Sequence, residues 1–445
     1  NAQCLPGYQG VLCGTCADDY VRRGDNCEPC DGGWQIGGAI GSMLGSCVVV
    51  FIVSFVLVKR TKTLDKHHQH DILEELSAQF KILTSWLQIL SVLTKTFNAV
   101  PWGSSFTSFS QSSGTVVNLD PSFLSSLTTC SLALPFLEQY GLSTLYPIVI
   151  TIAIFSGRAL AMIGVKDIDR RLAQTAKGDK IFLLFIMLLF PSIANKSFTV
   201  FRCRKIPGLE YTVLDEDFSV VCWEGQHITY VVVACLSIAV YAIGVPLYLF
   251  IELYRHRRHF YAADDGSLSD QHDWAYQRLG DLFIQYEPRF WFWEIGNLVF
   301  KLCITGVLCV VAQGSPFQVL LALLLCMINS SLLNRFAPYD SSTADTLSIA
   351  CALCLTMTIL GGYVLMANET MKSVNPEVLN YGLIGLNTVP LVLFVVNVVR
   401  LKLNHGVGAG KVKVSSTAVL PMKGLEKNSE IKQWGLTEIH WKQSN

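Results

Sequence analysis

"FKILTSWLQILSVLTKTFNAVPW", Phe80–Trp102, decides the fold, because it sets the parity of every membrane crossing after it. It is apolar enough to cross a bilayer, yet it contains Gln88 and Lys95. It reads either as a spanning helix or as an amphipathic helix lying in the interface. If it lies in the interface, every later loop changes side.

The rest of the chain argues for a span. Only 15% of the 445 residues are charged, and the mean hydropathy is +0.40. Soluble domains carry about 25% charged residues. The charges sit in short stretches between apolar runs of about twenty residues, which is the pattern of a polytopic membrane protein. Lys plus Arg and Asp plus Glu both total 34, so nothing points to nucleic acid. Nine spans are expected, near 34–58, 80–100, 143–163, 181–200, 228–252, 291–311, 317–333, 346–366 and 378–399. Lys and Arg then favour the inner loops, with "KRTK", "KDIDRR" and "RHRR" on that side. Without the second span, "KDIDRR" and "RHRR" would lie outside. The expected fold is thus an all-α bundle of about nine transmembrane helices, N-terminus outside and C-terminus cytoplasmic. It divides into an extracellular cysteine-rich stub (1–33), a transmembrane domain (34–402) and a cytoplasmic tail (403–445). The start at Asn1, without Met or leader, reads as the membrane end of a longer protein.

The cysteines agree with this orientation. Seven lie within expected spans and read as small apolar residues. The other eight, Cys4, Cys13, Cys16, Cys27, Cys30, Cys130, Cys203 and Cys222, all fall outside. The two Cys-x-x-Cys pairs at Cys13/Cys16 and Cys27/Cys30 suit a zinc site or disulfides equally well by spacing. An oxidising exterior favours disulfides, in any of three pairings. Cys4 is a fifth cysteine, whose partner is expected upstream of Asn1. Cys203 and Cys222 are expected to close an outside loop, worth about 3 kcal/mol in the chain-entropy model. Asn368-Glu369-Thr370 is a glycosylation acceptor in the last outside loop.

The polar residues inside spans come next. Glu294, Asn297 and Lys301 share one helical face, with Lys301 about 10 Å further along than Glu294. An ionisable residue that deep faces a bundle interior or a water-filled cavity. The triad is either a pathway or gate, or a polar knot between helices. Gln88, Arg158, Asn329, Asn387 and Asn397 are expected to hydrogen-bond between helices. Tyr286, Phe290, Trp291 and Trp293 read as an aromatic belt. Arg255, Arg257 and Arg258 form a basic juxtamembrane cluster that suits anionic lipid or simply sets topology. The expected partners are therefore membrane lipid, cations if the bundle conducts, and the upstream extracellular region of the same chain. Oligomeric state is left open. No catalytic, metal or cofactor motif is visible, so an enzyme is not expected. The last outside loops are too short for a re-entrant pore loop; only 101–142 and 201–227 have room.

"CLPGYQGVLCGTCADDYVRRGDNCEPC" (4–30) resembles the end of an ephrin-receptor-like cysteine-rich repeat. The stretch from "FWFWEIGNLVFKLC" onward resembles the C-terminal membrane module of large surface proteins of microbial eukaryotes. The matching residues are Trp293-Glu294-Ile295, Arg335 with Pro338-Tyr339, and Asp345. "KILTSWLQILSVL" is similar to that module's second helix. The resemblance implies a bundle akin to TRP-like channels, coupled to a large ectodomain. The expected role is a sensor or cation-channel-related module, with a non-conducting surface anchor or a transporter as the alternatives.

Overall fold

The computed structural model describes residues 4–17, 20–23, 26–29, 52, 67–117, 136–257, 260, 278–371 and 375–409. The first expected span (34–58) lies outside them apart from Ile52, as do Cys30, Cys130, Arg258 and the tail from 410. Contacts divide the chain into Asn1–Val399 and Arg400–Asn445, and within the second only the end of one helix is described. The first unit holds the stub and the helix bundle.

The stub is two small hairpins. β1 (Tyr8–Gln9) pairs with β2 (Thr15–Cys16), and β3 (Tyr20–Arg23) with β4 (Asn26–Pro29). Disulfides join Cys4 to Cys13 and Cys16 to Cys27, each with Cα atoms 5.5 Å apart. Cys4 therefore has its partner within the chain, contrary to expectation. The tight turn through Leu12 and Cys13, both at positive φ, brings Cys13 back to it. Gly7 is fixed here by a φ of +91° and by a Tyr20 ring only 2.6 Å from where a Cβ would sit.

Among the described residues, eight helices are long and apolar enough to cross a membrane. They are α1 (His67–Thr96), α3 (Phe136–Met162), α4 (Ile168–Thr199), α5 (Gln226–His256), α6 (Trp293–Val310), α7 (Pro316–Phe336), α8 (Ser342–Met371) and α9 (Pro376–Ala409). They coincide with the last eight expected spans. The helix that carries Phe80–Thr96, α1, is one of the two most buried, with α8. Ile82, Trp86, Ile89, Leu90 and Leu93 form its core face, continued by Phe97 just beyond its end. Gln79 and Gln88 are buried on it as well, so it is a central helix of the bundle.

α2 (Ser104–Val117) had no apolar signal in the sequence. It turns at Pro101–Gly103 and packs back along α1, with Phe106 fully buried and the Ser110 hydroxyl on the Leu90 carbonyl. Backbone carbonyls in a low-dielectric interior reward such a serine, which is why a Ser-rich segment can sit there.

Side-chain ties define two ends of the bundle. At one, Ser341 before α8 donates to Glu75 of α1 (2.9 Å), and Asp179 of α4 pairs with Arg158 of α3 and with Arg278. Arg278 also pairs with Glu252 of α5. At the other, Asp215 joins the loop after α4 to Asn98 beyond α1 and Gln313 beyond α6. That loop is a hairpin of β5 (Cys203–Lys205) and β6 (Thr212–Leu214), closed by Cys203–Cys222 as expected. Cys235, Cys303, Cys309, Cys326, Cys351 and Cys354, within spans, are free thiols.

Three expectations change in detail. α8 continues to Met371, so Asn368 sits in its last turn, not in a loop. Tyr286 and Phe290 are buried in the core instead of facing an interface belt. Trp291, by contrast, stacks on Phe250 at the surface of α5.

Candidate functional site

Two chain segments outside the spans build the site. α7 ends on Ala337 in a left-handed conformation, which turns the chain sharply toward Tyr339. The backbone of 285–287 then pairs with 338–340: Glu287 N–H donates to Pro338 O (2.9 Å) and Asp340 N–H to Gln285 O (3.1 Å). Asp345, at the start of α8, accepts from the Tyr339 N–H at 3.0 Å. The result sets Tyr286 against Tyr339, ring centroids 4.9 Å apart, beneath the first turn of α6.

Tyr286 is the hub. Its hydroxyl donates to Glu294 Oε2 at 2.5 Å and accepts from Asn297 Nδ2 at 3.0 Å. Gln285 Nε2 donates to the same carboxylate oxygen at 3.1 Å. Burial, then the Glu294 carboxylate, push the Tyr286 phenol well above its ordinary value; the same causes raise Tyr339. Both phenols thus resist ionisation, and Tyr286 is held as a donor to Glu294.

A cavity of about 70 Å³ opens between these groups and α1, α7 and α8. Lys81, Ser85 and Trp86 of α1 line one wall, facing Gln285, Glu294 and Asn297. Lys81 Nζ donates to the Asp281 carbonyl, and Asp281 pairs with Lys180.

Lys301 lies one turn beyond Asn297 and is 7% exposed. Its Nζ donates to Gln88 Oε1 at 3.1 Å, and Gln88 Nε2 donates to the Leu188 carbonyl at 3.1 Å. α6 is wound as a π-helix over Cys303–Val307, starting two residues after Lys301. The wider turn frees the Thr305 carbonyl, which accepts from Asn195 of α4. Gly306 permits that approach, since a Cβ there would lie 2.7 Å from the Phe198 ring.

The expected triad thus does not act as one group. Glu294 and Asn297 meet through Tyr286, whereas Lys301 is engaged by Gln88 of α1. Arg158 pairs with Asp179, and Asn387 donates to Thr358 Oγ1 at 2.8 Å. Arg255 is exposed, and Arg257 stacks on the Tyr254 ring at 3.7 Å.

A second polar centre had no sequence signal. Arg202 and Asp215 are 2% and 3% exposed and form an ion pair, with Arg204 on the other carboxylate oxygen at 2.8 Å. Arg202 also donates to the Lys95 carbonyl. Nearby, Cys203, Cys222 and His227 cluster at ligand distance, but the two sulfurs are joined as a disulfide. His227 Nδ1 accepts from the Trp223 N–H and Nε2 lies 3.0 Å from Val200 O, so both ring nitrogens are engaged. This is a structural cluster and not a metal centre.

Comparisons with family models, with curated proteins and with solved structures return no match.

Proposed function

We propose that this chain is a cell-surface, multi-pass membrane protein of the sensor or cation-channel-related type, coupled to an extracellular region. The observation that carries this reading is the polar cavity beside Glu294 and Asn297, together with the buried Lys301 one turn further along α6. A bundle that only anchors has no use for an ammonium in its middle, where charge is costly. In this reading Lys301, held by Gln88, is the barrier of a closed state, and it repels cations until the Gln88 contact breaks. The role is non-catalytic, and Arg255 and Arg257 with Arg258 attract anionic lipid at the inner face.

Orientation rests on the disulfides. The stub and the β5–β6 loop both carry them, which suits one oxidising side. The β5–β6 loop is tied to the far end of α1 through Asn98, so His67 starts on the opposite side. The chain then crosses once between Cys27 and His67, and 34–58 is the apolar stretch available. That gives nine spans, the N-terminus outside and the tail cytoplasmic, in a plasma or other secretory-pathway membrane.

The test is ion-flux recording on the purified chain in liposomes, comparing wild type with Lys301→Met. Cation flux that rises in the variant is expected. No flux from either protein under tension, ligand or voltage sinks the channel reading. The second reading, a non-conducting anchor, would then stand, and the buried Arg202–Asp215 tie favours it.

A further inference from the structure

We propose that the cavity beside Glu294 is a water site: a cluster of waters that bridges Trp86 Nε1, Gln285 Oε1 and Glu294 and reaches toward Lys301. This deepens the channel-related reading by naming the occupant of the cavity on which that reading rests, and it does not require that the bundle conduct.

Three observations carry it. Trp86 is 3% exposed and lines the cavity, yet its indole Nε1–H has no hydrogen-bond partner among the described residues. Gln285 lines the same cavity, and its Oε1 is buried without a partner while its Nε2 is used by Glu294. Lys301, one turn beyond the cavity-lining Asn297, has three N–H donors, of which one reaches Gln88 among the described residues. A donor and an acceptor left over around one space, with an ammonium beyond it, are the requirement for water, whose molecules each need two to four polar partners. The volume fits as well: about 70 Å³ is several times the roughly 10–15 Å³ that one water requires.

The charge inventory selects water over an ion. One cation, Lys81, and one carboxylate, Glu294, line the cavity. Lys81 is held by the Asp281 carbonyl, and Glu294 by Tyr286 and Gln285. A metal cation would meet the ammonium, and an anion would meet the carboxylate. A neutral molecule that both donates and accepts meets neither penalty.

Trp293 supplies an internal control. Its Nε1 is also buried without a partner among the described residues, but it does not line the cavity. The experiment is NMR on the full chain in lipid nanodiscs with ¹⁵N-labelled tryptophan, assigned by Trp86→Phe and Trp293→Phe. The Trp86 indole proton is expected to show a cross-peak to water and to exchange with solvent at least about tenfold faster than that of Trp293. Ser85→Leu, which fills the wall beside Trp86, is expected to remove the cross-peak and leave Trp293 unchanged. Equal, slow exchange at both indoles in the wild-type protein would overturn the proposal. So would a Trp86–water cross-peak that persists in Ser85→Leu. A hydrated Trp86 without ion flux keeps the water site and sinks only the channel reading.

Discussion

Tyr286 uses its hydroxyl twice, as donor to Glu294 and as acceptor from Asn297. Tyr286→Phe removes both bonds, leaving Glu294 with Gln285 as its remaining donor and Asn297 without its Tyr286 acceptor. The expected cost is about 1–3 kcal/mol in unfolding free energy, read by thermal or denaturant unfolding in detergent. The pH dependence has a definite sign. Both phenols are raised above the unfolded value of about 10, so the fold resists their ionisation. Their contribution to stability is fully present below about pH 10 and is lost as pH rises through the folded values. Unfolding midpoints should therefore fall from about pH 10 upward, and the fall should be shallower in Tyr286→Phe. An equal slope in both proteins would refute the hub. The sequence reveals Glu294, Asn297 and Lys301 because helical periodicity alone puts them on one face. It conceals Tyr286 and Tyr339, because their meeting depends on two loops pairing across a separation of 53 positions.

At the scale of elements, the β5–β6 hairpin is the piece that ties one end of the bundle together. Asp215 accepts from Arg202, Arg204, Asn98 and Gln313. Asp215→Asn leaves the buried Arg202 guanidinium with only the partly exposed Glu216 carboxylate, 3.7 Å away, as counter-ion, and a loss of about 3 kcal/mol is expected. Replacing both members by apolar residues, Arg202→Met with Asp215→Leu, should cost less than the single change. Unfolding curves for the two variants decide this, and the reverse order would show that the pair's own attraction matters more than its isolation. The π-helical turn of α6 makes a second demand. Gly306→Val would drive a side chain into Phe198 and should destabilise by about 1–3 kcal/mol. Long apolar helices such as α5 and α9 were legible because twenty apolar residues have one outcome in lipid. α2 was not, since its burial rests on Phe106 and on a Ser110-to-carbonyl bond that hydropathy cannot register. The Arg202–Asp215 pair was equally hidden, because two charges 13 positions apart in a loop look like solvated surface.

For the whole molecule, the open quantity is the number of crossings before α1, and the disulfides turn it into a measurement. Glu210 is exposed on the β5–β6 side and Asp340 is exposed at the opposite end, so cysteines placed there report the two sides. Cys4–Cys13 and Cys16–Cys27 need the same oxidising compartment as Cys203–Cys222. An epitope fused ahead of Asn1 should therefore be reached by antibody in intact cells. Under the same conditions a membrane-impermeant maleimide should label Glu210→Cys. Asp340→Cys should react only after permeabilisation. An epitope that appears only together with Asp340→Cys would remove the crossing at 34–58 and leave eight spans. It would also put the stub in a reducing compartment, where its disulfides would not persist, so the two results must move together. Phe80–Trp102 carries the same logic from the other side. α1 is buried between α8 and α2 and its two ends are tied to opposite ends of the bundle, so in the proposed nine-span topology it is the crossing from which every later loop takes its side.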